Sequence, residues 1–212
     1  MNMRIWLMGA IALGLTACGG SDANVEVVNL NKVLEVMNKT MDKMQKEVAA
    51  SGESKLNKED PAVRKAFMEK FNVELAKDLN EAKLMSTPIG TEVKNDGAIE
   101  GFADLNKNSK QELGQGEKSL FKVEIDGPRN RLIATDLQHG YRRDSGFSTG
   151  GLLTGMLIGH LLSRQLSAGV SPNKHANTKV SPSGYHSQAV SNAKASASAR
   201  TSSKSGSFSR GK

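Results

Sequence analysis

The chain has 212 residues and carries 29 Lys and Arg against 22 Asp and Glu, a net charge of +7. Aromatics are 4% of the composition, with one Trp and two Tyr, which argues against a large enzyme core filling the whole length. A single Cys excludes an intramolecular disulfide framework and any multi-Cys zinc site.

The first 18 residues read MNMRIWLMGAIALGLTAC. Arg4 and the free amine form a short positive region, and Ile5 to Leu15 follow as 11 apolar or small residues. That stretch is too short to span a bilayer and has the length of a signal-peptide core. It closes on Leu15-Thr16-Ala17-Cys18, with Gly19-Gly20-Ser21-Asp22 next. This resembles the lipobox of bacterial lipoproteins, in which small residues precede a Cys that becomes the mature N-terminus. The resemblance implies cleavage before Cys18, a thioether-linked diacylglycerol on it and a further acyl chain on its new amine. It also implies a periplasm-facing protein held by membrane lipid, with stable anchoring from more than one chain. Gly19, standing where Asp would, is similar to lipoproteins forwarded to the outer membrane. Residues 1–17 are therefore set aside as a signal peptide, and 18–23 as anchor and linker.

From Asn24 the pattern becomes helical. Leu30, Leu34, Met37, Met41, Met44 and Val48 recur at spacings of four and three, an a/d stripe with charged residues off it. The three methionines have thioethers suited to Cu(I), but no Cys or His accompanies them, and Met is an ordinary filler at such seams. Ser51-Gly52 ends this helix. Asp60 is suited to cap a second one, with Pro61 at its first position, continuing through Val63, Phe67, Phe71, Leu75 and Leu79 toward Pro88. Residues 24–86 thus predict an antiparallel helical hairpin.

Between 89 and 137 the period falls to two. Thr91–Lys94 and Ala98–Phe102 flank the turn Asn95-Asp96-Gly97. Phe121, Val123 and Ile125 alternate in Ser119–Asp126, and Gly127-Pro128-Arg129-Asn130 turns into Arg131–Thr135. A small antiparallel meander of three or four strands, packed on the hairpin, is expected. Within it Asp104, Asn106, Asn108 and Glu112 place side-chain oxygens at positions 1, 3, 5 and 9 of a loop resembling calcium-binding repeats. Ser109 stands where such loops need Gly, Gln115 replaces the closing Glu, and Glu117 would reach in from outside the frame. The competing reading is an Asx-rich turn using the same oxygens for local backbone hydrogen bonds.

Residues 147–166 are read as one apolar helix, with no charged residue from Phe147 to Leu162 and Arg164 closing it. Gly151, Gly155 and Gly159 recur every fourth residue, placing them on one helix face where another backbone can approach. On an unpacked helix each would cost about 1 kcal/mol relative to Ala. The motif resembles the glycine-zipper segment of small envelope lipoproteins. Two readings stay open: membrane insertion with possible homo-oligomer formation, and a buried or interfacial helix packed on the hairpin. From Ala168 to Lys212 there are 12 Ser, no acidic residue, and seven cations at Lys174, Lys179, Lys194, Arg200, Lys204, Arg210 and Lys212. This stretch predicts a disordered basic tail suited to anionic envelope polymers. Removing it leaves 22 basic against 22 acidic residues in 1–167. Tyr185 and Phe208 are too few to stack bases, so no nucleic acid is expected as a partner.

The resulting expectation is an α+β chain, mostly helical. It comprises a hairpin, a small β element, a glycine-zipper helix and a disordered tail. No His pair, Ser elbow, P-loop or dinucleotide fingerprint is present, so no enzyme is expected and no cofactor beyond the lipid on Cys18. The layout resembles small bacterial envelope lipoproteins, a resemblance that brings no assigned activity. A structural or interaction role follows, with a Ca²⁺-responsive binding module and a glycine-zipper membrane-associated oligomer as alternatives.

Overall fold

A computed structural model describes residues 26–51, 60–112, 114, 116–148 and 150–202, with side chains described as far as residue 198. The leader, Cys18, the linker and residues 203–212 lie outside the described residues. Among the described residues the fold is α+β: four α-helices and one five-stranded antiparallel sheet.

Helix α1 spans Leu30–Ser51 and α2 spans Pro61–Glu81. α1 begins at Leu30, with its apolar stripe, and residues 26–29 before it are not helical, contrary to the expected start at Asn24; the Asn29 side chain accepts from the Lys32 amide at 3.3 Å and caps it. Asp60 caps α2, accepting from the Ala62 amide at 2.8 Å, with Pro61 behind it. The expected stripe of α1 is buried in full, and Val33, Val36 and Thr40 widen it. Met68, Phe71, Leu75 and Leu79 answer from α2. The two helices run antiparallel: the Thr40 hydroxyl lies 2.7 Å from Asp78, Lys43 Nζ lies 2.8 Å from Glu74, and Lys70 Nζ lies 3.4 Å from Glu47. The hydrogen bond to Glu74 raises the Lys43 pKa despite the cost of burial, so that cation is fixed across the seam.

The strands are β1 (Ile89–Val93), β2 (Ile99–Ala103), β3 (Ser119–Asp126), β4 (Arg131–Asp136) and β5 (Arg142–Gly146), each pairing with the next. The meander therefore has one strand more than the apolar alternation announces. β5 reads Arg-Arg-Asp-Ser-Gly, an edge strand with no apolar period. Two glycines receive rings from the neighbouring strand: a Cβ on Gly90 would collide with Phe102, and one on Gly101 with Phe121. On one face of β3, Phe121, Val123 and Ile125 join the helices in a common core. Lys122, Glu124 and Asp126 alternate with them and so face the other way.

Helix α3 covers Leu152–Ser167 and buries Leu153, Met156, Leu157, Ile158 and Leu161 against the protein. Its apolar side is thus used in the core. No helix among the described residues is long and apolar enough to cross a membrane.

The disordered tail expected from Ala168 onward is corrected over residues 168–202. Residues 168–184 form a strap of turns across the outer face of the sheet, and α4 follows at Tyr185–Ser202. Lys174 bonds Glu124 at 2.5 Å, Arg131 donates to the His175 carbonyl at 3.0 Å, and the Ser181 amide donates to the Arg142 carbonyl at 2.8 Å. Tyr185 then enters the core. Its hydroxyl accepts from the Leu30 amide at 2.5 Å and donates to the Val28 carbonyl at 3.0 Å, while burial pushes its pKa up to about 12. Local periodicity gives little sign of this segment: the buried stripe of α4 is short and mostly alanine (Tyr185, Ala189 and Ala193, with Val190 beside them), and long-range polar anchors hold the strap.

Candidate functional site: a glycine-floored groove and a capped loop

Between α2 and α3 lies an open groove of about 1080 Å³. α2 contributes Arg64, Lys65 and Met68, and α3 contributes Gly155, Gly159, His160 and Arg164. The glycines divide into two roles. Gly151 caps α3 outside the helix and packs closely on α1, where Gln45 Oε1 accepts from the Leu153 amide at 2.8 Å. A Cβ on Gly151 would sit 2.8 Å from that same oxygen, so a side chain there would push Gln45 off its hydrogen bond to Leu153. Gly155 and Gly159 instead border the groove, and a Cβ on either would meet nothing within 4 Å. The four-residue spacing therefore does not join three glycines in one packed seam. It leaves two of them as bare backbone in the groove.

The rim is basic. Arg164 Nε donates to His160 Nε2 at 3.1 Å, and Arg164 Nη1 reaches the Lys94 carbonyl at 3.4 Å. Burial first, then the charges of Arg164 and Arg64, lower the His160 pKa, so the ring is held neutral as the acceptor of the Arg164 hydrogen bond. Among the described residues Arg64 and Arg164 make no ion pair, while Glu69 lies 4.0 Å from Lys65. Sequence reasoning missed this rim. Arg64 and Arg164 lie on separate helices and share no local motif; the fold alone brings them together.

The second constellation is the loop from Asp104 to Glu117. Asp104 is buried, and its two oxygens accept from the amides of Asn108 at 3.1 Å and Ser109 at 3.0 Å. Asn106 and Asn108 also accept from the amides of Asn108 and Lys110, at 3.1 and 2.8 Å. Their amide nitrogens hold Glu112, at 2.5 and 2.8 Å. Glu117 does reach in from outside the frame, yet its oxygens take the amides of Leu105 at 3.0 Å and Glu112 at 2.8 Å. Lys107 and Ser109 adopt left-handed backbone (φ 59° and 60°) to make these turns. The four candidate oxygen donors are thus brought together, but the buried carboxylates face backbone N–H groups. Among the described residues, no three His, Cys, Asp or Glu side chains are grouped to hold a metal ion.

No family model, curated protein or solved structure matches the chain.

Proposed function

We propose that this chain is a lipid-anchored protein of the bacterial envelope, facing the periplasm, with a non-enzymatic structural or interaction role. The observation that carries the reading is Cys18, the sole Cys, following the 11-residue apolar stretch Ile5–Leu15 and then Thr16-Ala17. Gly19 favours the outer membrane over the inner one. The α2–α3 groove is the proposed contact face, since Gly155 and Gly159 expose backbone there at a helix-propensity cost that a covering partner offsets. Arg64, Lys65 and Arg164 on its rim oppose face-to-face pairing of two copies, so a different, acidic partner suits it better than self-association. Lys179 and Lys194, with the cations at 200, 204, 210 and 212, are proposed to meet anionic envelope polymers.

Membrane fractionation of the wild type and of Cys18→Ala tests the anchor. Wild type is expected in the membrane fraction through high-salt washing, and a wild type found in the soluble fraction rejects the reading. Gly155→Leu tests the contact face: it is expected to lose partners cross-linked in cells while keeping its fold, and unchanged cross-linking removes the groove from the account.

A further inference from the structure

The first described residues lead to a surface of the protein distinct from the groove. Glu26 lies at the edge of a depression of about 890 Å³ that is also lined by Val73, Lys77, Lys83, Asp104 and Lys107. Its two acids are occupied. Glu26 accepts from the Ser86 amide at 2.7 Å, and Asp104 is buried on the amides of Asn108 and Ser109. Lys77, Lys83 and Lys107 are exposed, and none makes an ion pair among the described residues. Val73, 62% exposed, sits among them, and Leu105, 54% exposed, lies beside Lys107. Few large apolar side chains stand so open in the described chain, and these two flank one cluster of cations.

We infer that this face lies against an anionic phospholipid surface, with the three ammonium groups at headgroup phosphates and Val73 and Leu105 at the interface. The orientation rests on the proposed anchor for its tether. Cys18 and Glu26 are eight residues apart, a reach of at most about 28 Å when fully extended. A folded body of this size is roughly 40 Å across, so such a tether keeps the Glu26 end nearest the bilayer. Lysines there fall within reach of the surface field, which decays over about 10 Å at 0.1 M salt. The point at which the chain enters the body is fixed: Tyr185 holds Val28 and Leu30, and His186 Nε2 lies 3.0 Å from the Val27 carbonyl. The tether therefore starts from a rigid position beside the lysines.

The full chain, reconstituted in phosphatidylglycerol–phosphatidylcholine vesicles and in phosphatidylcholine alone, is treated with an amine-reactive reagent. Labelling is read by peptide mass spectrometry. Lys46 and Lys65 serve as references, both exposed and lying near the other end of the helical pair, toward the end of α1 and the start of α2. Each lysine facing an anionic surface strengthens its hold by about five-fold. Labelling of Lys77, Lys83 and Lys107 is expected to fall about that much in the anionic vesicles only. Lys77→Glu with Lys107→Glu should return Lys83 labelling toward that of Lys65. Equal labelling of all five lysines in anionic vesicles overturns the inference, as does protection that persists in phosphatidylcholine alone. The mass of Cys18 in the same sample separates the two ideas. A lipidated Cys18 with unprotected lysines defeats only the face, whereas protected lysines with a bare Cys18 defeat only the anchor.

Discussion

The hydroxyl of Tyr185 accepts the backbone N–H of Leu30 at 2.5 Å, closing the C-terminal segment onto the first turn of α1 across 155 residues of sequence. Tyr185→Phe leaves that amide and the Val28 carbonyl buried without their partner, at about 1–3 kcal/mol. Tyr185→Ala adds a cavity and should cost about 3–5 kcal/mol. Urea unfolding checks the order; equal stability of Tyr185→Phe and wild type would show that the clamp contributes nothing.

Two glycine substitutions should move stability in opposite directions. Gly97 has φ +72°, and a Cβ there would collide with the Leu161 carbonyl, so Gly97→Ala destabilises by more than about 1 kcal/mol. Gly155 is helical with open space beside it, so Gly155→Ala should stabilise by up to about 1 kcal/mol through helix propensity. Thermal melts of the pair report this directly. A destabilised Gly155→Ala would mean that the groove is filled.

Asp104→Ala removes the acceptor of two loop amides and should cost about 1–3 kcal/mol. Because those amides are satisfied by the carboxylate itself, the same loss is expected in Ca²⁺ and in chelator. A penalty that appears only with Ca²⁺ would return the loop to a cation site, and calorimetry of the wild type would then show heat.

The strap is pH-sensitive by construction. Burial lowers the His175 pKa, opposed in part by Glu124, so the folded state binds its proton less readily than the unfolded state. Glu124 is pushed up by burial, but the Lys174 hydrogen bond and the charges of Lys122, Lys174 and His175 bring it below the ordinary carboxylate value. Asp126 also faces this cluster, bonded to Arg131 at 2.8 Å. Both signs agree. The His175 contribution is lost as pH falls below the ordinary histidine value near 6.5, and the Glu124 contribution is lost further down, below the ordinary carboxylate value near 4.5. Melting temperature should fall on acidification, and less steeply in His175→Gln between neutrality and about pH 5. Identical slopes would remove His175 from the account.

Much of the fold is legible wherever one face carries a periodic apolar signal. Leu30 to Val48, the Asp60-Pro61 start of α2, and the alternation of Phe121, Val123 and Ile125 all identify their elements directly. β5 has no such signal, and the 168–202 segment has only a short one, Tyr185, Ala189 and Ala193 on α4. Their order comes from Arg143 meeting Asn31 at 2.7 Å, Lys174 meeting Glu124, and Tyr185 meeting Leu30, pairings separated by 50 residues or more. The glycines of α3 are visible as a motif, but their division into one packed cap and two open positions depends on where Gln45 falls. The tail's charge is likewise redistributed: Lys174 is spent on Glu124 inside the fold, leaving the other six cations of 168–212 for the exterior role proposed above.

The proposal of a lipid anchor is tested most directly by the mass of the N-terminal peptide of the chain extracted from bacterial membranes. The account predicts a peptide that begins at Cys18 and carries a diacylglyceryl thioether together with an acylated amine. A peptide that retains residues 1–17, or one with an unmodified Cys18, would contradict it.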